Sequence, residues 1–229
     1  MQIFEIEGID QLRTESLFEP GNTIAETLLK GVDFPWQALS DVCGFIKKIG
    51  PSLNPLDFDN PHPGVWIHKT AVVAESAFIG ENVIIGEGAE IRHCAFIRNS
   101  AVVGKRAIVG NSTELKNVIL FDCVQVPHYN YIGDSILGYK AHMGAGAVTS
   151  NVKGDKTPVT VMLNEKKVST GLKKFGAILG DGVEIGCGSV LNPGSIIGKD
   201  TQVYPLSMVR GFIPAKNIYK RQGEIVQKK

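Results

Sequence analysis

The chain has 229 residues, 43% hydrophobic, 21% charged and 7% aromatic, with 24 Lys and Arg against 23 Asp and Glu. That apolar content supports a packed core and excludes a disordered chain, a collagen or a small disulfide scaffold. The balanced charge leaves no basic field to attract nucleic acid.

The opening Met-Gln-Ile-Phe-Glu-Ile-Glu carries acids where a signal peptide carries base, and no apolar leader core follows. Apolar runs are too short to span a membrane. Cys43, Cys94, Cys123 and Cys187 are widely spaced, with no Cys-x-x-Cys pair. They read as free thiols of a cytoplasmic protein rather than zinc ligands.

Residues 1–64 form a first segment. Trp36, Ala38, Leu39, Val42, Phe45 and Ile46 predict a short amphipathic helix over 36–48. Pro51, Pro55, Pro61 and Pro63 then mark a stiff linker.

From residue 65 a repeat takes over. Stepping by six from Ile67 gives Val73, Ile79, Ile85, Ile91, Ile97, Val103, Val109, Leu115 and Phe121. Four places after each stands a mostly small residue, as at Ala71, Ala77, Ala89 and Ala95. The beat returns at Leu179, Ile185, Leu191, Ile197, Val203 and Val209. This period suits neither a helix nor an alternating strand. It suits a prism of short strands whose stacked coils share one core. The predicted fold is therefore all-β, with a prism over 65–213. The register slips between Phe121 and Thr149. An inserted arm over 151–176 shows hairpin signals at Val159–Leu163 and Lys167–Ser169. Residues 214–229 predict a short C-terminal helix and tail.

The pattern over 65–211 resembles the hexapeptide repeat of left-handed parallel β-helix proteins, which implies three hexapeptides per coil and a homotrimer. Within it, Thr113-Glu-Leu-Lys-Asn and Val126-Pro-His-Tyr-Asn-Tyr-Ile-Gly-Asp-Ser135 are distinctive, as is Met143-Gly-Ala-Gly-Ala-Val-Thr-Ser-Asn151. These runs resemble the acetyltransferase half of bifunctional sugar-1-phosphate nucleotidylyltransferase/glucosamine-1-phosphate acetyltransferases. The Leu-x-x-Gly-x-Gly-x-Arg loop of the other half is missing, so the resemblance implies acyl transfer alone.

Acetyl transfer from CoA to an amine needs a base, and an imidazole titrates in the useful range. The resemblance assigns that role to His128, with Glu114 orienting and polarising it. It implies Arg98, Lys116, Tyr131 and Asn151 as sugar-phosphate contacts, residue types suited to an anion. It puts Ala145 at the CoA thioester end. His142 stands where the family has Asn at the sugar, and Cys187 where it has a CoA-contacting Ser. The arm carries six lysines against two acids. Of these, Lys153 and Lys156 are expected to meet CoA or sugar phosphates, with the arm reaching across an inter-subunit cleft. The five histidines lack the spacing of the zinc-binding relatives, so no metal is expected. The expected function is acetyl-CoA-dependent N-acetylation of an amino-sugar 1-phosphate or nucleotide amino sugar in the cytoplasm. The alternatives are a hydroxyl acceptor or a non-catalytic trimeric sugar-phosphate-binding scaffold.

Overall fold

The computed structural model describes residues 6–228; the opening residues of the N-terminal segment and the last residue of the tail lie outside the described residues. From Val65 onward the chain winds into a parallel β-solenoid of about nine turns. The long strands Phe78–Ile85, Phe96–Val103, Glu114–Leu120 and Tyr131–Leu137 each serve two faces of the prism. They turn at Asn82, Ser100, Asn117 and Asp134, whose φ values lie between 48° and 56°. Short polar side chains tolerate that left-handed backbone and hydrogen-bond locally, which is why they stand there. The third face consists of shorter strands, among them Ile108–Asn111, Gln125–His128, His142–Met143 and Glu184–Ile185.

The core sits inside the coil. Ile97, Leu115, Ile132 and Leu191 line the first face from within. Ile85, Val103, Leu120, Leu137, Leu179 and Ile197 line the second, and Ile91, Val109, Val126, Met143 and Val203 the third, all buried. One expected member is displaced. Ile97 pairs with Leu115 but Ala101 pairs with Val118, so this coil is one residue shorter than those before it, and the next coil keeps the shorter spacing. The slip therefore falls before Phe121, and Leu120 takes the inward place. Phe121 turns outward and packs on Phe18, with ring centroids 4.7 Å apart.

The N-terminal segment is more than a helix and a linker. A turn of 3-10 helix, Pro35–Ser40, and the α-helix Val42–Ile49 occupy the predicted helical region. With the residues before them they cover the second face. Its outward residues Ile84, Val102, Ile119, Ile136, Ile178 and Ile196 are all buried, as are Leu12, Leu17, Trp36, Val42 and Ile46 of the cover. Each such aliphatic side chain is worth roughly 1.5–3 kcal/mol when removed from water. Trp36 stacks on Phe34 and on Phe175, at 4.6 and 6.1 Å between centroids. The buried Asp181 carboxylate accepts the backbone N–H of Glu19 at 2.6 Å and of Tyr139 at 2.7 Å, tying the cover to the coil. Burial pushes the Asp181 carboxyl above the usual carboxylate range.

Two expectations are corrected here. The insertion does form an antiparallel hairpin, Thr160–Leu163 with Lys166–Ser169. It lies against its own coil rather than standing out as a free arm. Val159, Val161, Leu163 and Val168 are buried, and the hairpin packs on the strands Ser195–Ile197 and Phe212–Ile213 of its own solenoid. The alternation of apolar and polar residues gives it one adhesive face, and the nearest apolar surface is its own coil. The predicted C-terminal helix is absent. Asn217–Arg221 adds another parallel rung, with Ile218 opposite Gln202 and Tyr219 opposite Val203, and Glu224–Gln227 folds back on it. The inward place on that rung is filled by Tyr219, which decides the conformation. Its Oη donates to the Met208 carbonyl at 2.8 Å. Tyr219→Phe is expected to cost about 1 kcal/mol of stability, the worth of one such bond, read from chemical denaturation midpoints.

Candidate active site

Outside the first face run two columns of side chains. Register pairs Phe78 with Phe96, Phe96 with Glu114, Glu114 with Tyr131 and Tyr131 with Val148. Two residues further along each strand stand Gly80, Arg98, Lys116 and Gly133. Four of the predicted residues, Arg98, Glu114, Lys116 and Tyr131, therefore share this face, and Asn151 reaches it from the next coil. Arg98 Nη1 donates to Glu114 Oε1 at 3.0 Å. Lys116 Nζ reaches both oxygens of Asp134, at 2.9 and 2.8 Å. Asn117 Nδ2 donates to Asp134 Oδ1 at 3.0 Å, and Asn151 Nδ2 to its Oδ2 at 2.5 Å. Asn151 also donates to Tyr131 Oη at 3.3 Å.

Asp134 is the hub of this network, and sequence reasoning missed it. Its side chain is 6% exposed and that of Lys116 is 19% exposed. A carboxylate so placed needs its lone pairs filled, and three side chains fill them. The available signal was the corner column, where Asn82, Ser100 and Asn117 are neutral and Asp134 alone is charged. Gly133 belongs to the same construction. A Cβ there would stand 2.6 Å from Tyr131 Oη and 2.8 Å from Asn151 Nδ2, so only glycine admits the Tyr131 ring. Burial first, then the nearby Glu114 carboxylate, holds the Tyr131 phenol above its usual range. Because Tyr131 Oη accepts from Asn151, its own proton points elsewhere and is free for a ligand. The two cations are matched by two carboxylates, so the face presents directed donors rather than net positive charge.

His128 stands round the corner. It ends the third-face strand Gln125–His128 and is exposed. Its backbone N–H donates to Asn130 Oδ1 at 3.1 Å, and its carbonyl accepts from Gly146 N at 3.0 Å. Asn130 is buried and donates to the carbonyls of Gly144 and Ala147, at 2.8 and 3.0 Å, which pins the corner. Among the described residues the His128 ring makes no hydrogen bond, and Glu114 is held by Arg98 instead. Ala145 and Cys187 lie on the same corner in the next coils, where Gly188 N donates to Ala145 O at 2.9 Å.

The remaining predicted residues lie apart. His142 is on the third face, its Nδ1 2.7 Å from Glu184 Oε2. Lys153 donates to Thr157 Oγ1 at 2.6 Å and lines a cleft of about 450 Å³ with Lys167, Asn192 and Arg210. Lys156 is exposed and outside that lining. Lys167 and Arg210 are further cations that sequence reasoning did not single out; the fold alone brings them beside Lys153. Among the described residues no cluster of His, Cys, Asp and Glu forms a metal site, and no helix is long and apolar enough to cross a membrane.

Relatives of known type share this stretch. The chain is 36% identical over 120 residues to the bifunctional protein GlmU of Methanococcus aeolicus, covering 52% of this chain and 29% of that protein. It is 30% identical over 109 residues to a bifunctional sugar-1-phosphate nucleotidylyltransferase/acetyltransferase of Sulfurisphaera tokodaii, covering 48% of this chain and 27% of that one. The matches thus span less than a third of the length of these curated relatives. A crystal structure of a hexapeptide transferase family protein from Anaplasma phagocytophilum superposes with a TM-score of 0.42 at 16% identity, covering 72% of this chain and 79% of that one. At that distance the fold rests on this chain's own strand ladder. No family model matches the chain.

Proposed function

We propose that this hexapeptide-repeat β-solenoid, homologous over about half its length to the bifunctional GlmU proteins, transfers an acetyl group from acetyl-CoA to the amine of an amino-sugar 1-phosphate or nucleotide amino sugar. The observation that carries this reading is the Lys116–Asp134–Asn151–Tyr131 network on an exposed face, one corner away from an exposed, unencumbered His128. A scaffold has no need of a buried carboxylate holding three polar side chains in place. The sugar phosphate lies against Arg98, Lys116 and Tyr131, and Asn151 aligns Tyr131. His128 removes a proton from the acceptor amine as its nitrogen attacks the thioester carbonyl. Backbone N–H groups steady the tetrahedral oxyanion, and the C–S bond breaks to release the CoA thiolate. Glu114 acts by fixing Arg98. Ala145 and Cys187 border the thioester end, and His142, with Glu184, borders the acceptor from the third face. The cleft of Lys153, Lys167 and Arg210 takes phosphates of acetyl-CoA.

The test is release of free CoA thiol over a panel of amino-sugar 1-phosphates and nucleotide amino sugars. Thiol release with none of them overturns the reading. The engagement of Glu114 by Arg98, away from His128, favours one alternative, a sugar-phosphate-binding scaffold. Binding of the panel without thiol release is its signature.

The working unit is a homotrimer. At the C-terminal end of the prism Tyr204, Leu206, Val190 and Met208 are exposed together, with Leu206 85% exposed. A contiguous apolar patch of this kind marks an interaction surface. Leu206→Asp with Met208→Asp is expected to convert a trimer to a monomer in light scattering at micromolar concentration, with the β-sheet circular dichroism unchanged. A wild-type monomer mass overturns the trimer.

A further inference from the structure

We propose that Phe78 and Phe96 are the walls of a nucleoside subsite, so that the acceptor is a sugar carried on a nucleoside diphosphate rather than a bare sugar 1-phosphate. The two rings stand in register on adjacent coils, 58% and 41% exposed, with centroids 5.5 Å apart and planes at 65°. They border a pocket of about 330 Å³ completed by Gly80, Glu81, Arg98 and Asn99. Two large aromatic side chains gain nothing from facing water. A nucleobase covers them, because every base has a π-face and stacks on an aromatic ring.

The polar members of the pocket fit the rest of a nucleoside. The Glu81 carboxylate accepts from ribose hydroxyls, and the Asn99 amide both donates and accepts at a base edge. Arg98 engages Glu114 through Nη1 alone, which leaves its other N–H groups for phosphate oxygens. Arg98 and Lys116 lie on successive rungs, about 4.8 Å apart along the prism, a separation suited to two linked phosphates. The order along the face is then base at Phe78 and Phe96, phosphates at Arg98 and Lys116, and sugar at Tyr131 beside the His128 corner. This assignment rests on the acetyl-transfer reading only for which group reacts; the binding step does not depend on it.

The experiment is calorimetric titration without acetyl-CoA, using UDP, GDP, dTDP and CDP in one arm and glucosamine 1-phosphate in the other. At least one nucleoside diphosphate is expected to bind at least tenfold more tightly than the sugar phosphate. Phe78→Ala and Phe96→Ala each weaken that binding by about ten- to hundredfold, leave the sugar phosphate within twofold, and leave the mass of the assembly unchanged. Phe96→Tyr restores the nucleotide affinity. Three results overturn the proposal: no preference for any nucleotide, equal loss for both ligand classes in the Ala variants, or loss of affinity that accompanies dissociation of subunits. The last assigns the aromatic pair to a subunit contact. Failure of thiol release with nucleotide binding intact overturns acetyl transfer instead and leaves the subsite standing.

Discussion

His128→Ala is expected to lower the rate of acetyl transfer by about 10²–10⁴-fold, the usual worth of a general base. Nothing else in the molecule depends on the ring. The side chain is exposed, and the corner is held by the Asn130 amide and the His128 backbone rather than by the imidazole. Thermal midpoint and oligomeric mass should therefore stay at wild-type values while turnover collapses. The loss belongs in kcat, with the Michaelis constants for acetyl-CoA and acceptor little changed. Glu114→Gln separates two arrangements. If Glu114 acts only through Arg98, the variant raises the acceptor Michaelis constant and leaves the pH profile of kcat in place. If it polarises His128, the acidic limb of that profile, where the base takes up its proton, moves. A wild-type rate in His128→Ala removes the residue from the chemistry.

Asp134→Ala should be the most damaging single change at the site for stability. The variant strands the Lys116 ammonium, which is largely shielded from solvent, and removes one of two acceptors from each of the Asn117 and Asn151 amides, which keep the Leu39 carbonyl and Tyr131 Oη. Removing one partner of a buried pair costs about 3–5 kcal/mol, a fall of roughly 10 °C in the thermal midpoint for a chain of this size. Asp134→Asn keeps the shape and part of the hydrogen bonding and should lose less. The double change Asp134→Ala with Lys116→Met removes the stranded charge and should recover stability without recovering acceptor binding. Equal midpoints for Asp134→Ala and wild type would show that water, not Asp134, satisfies Lys116.

The fold was legible wherever a residue's role repeats. Ile85, Ile97, Leu115, Leu191 and Val209 each meet the same environment as the residue one coil away, so a period of six reveals them. The one-residue shortening before Val118 breaks the count, and Phe121, apolar and on the beat, reads as an inward residue. The covered face also leaves a mark in the sequence. Ile84-Ile85, Val102-Val103, Ile119-Leu120, Ile136-Leu137, Ile178-Leu179 and Ile196-Ile197 are doublets, and a solvated prism face needs only their second members. The final rung was hidden because Ala215-Lys-Asn-Ile-Tyr-Lys220 has good helix formers, and only stacking on Val203 selects the strand. At the site, motif resemblance named the residues on the outer face. It gave no view of Asp134, whose partners come together only when separate coils align. Nor could it show that Glu114 faces Arg98.

A solenoid built only of neighbour-to-neighbour stacking melts gradually, because each rung depends on the next alone. The cover laid along the second face changes that. It packs on the four strands Phe78–Ile85, Phe96–Val103, Glu114–Leu120 and Tyr131–Leu137 at once, joins Trp36 to Phe175, and ties its Leu17 and Glu19 backbone to Asp181. Loss of any middle rung removes part of the surface on which the whole segment is seated. The free energy of the stack is thereby shared along its length, and the molecule is built to lose its structure in one step rather than to fray. The covering segment also precedes the coils on which it rests, some of them by more than a hundred residues, so its apolar side stays uncovered until they are made.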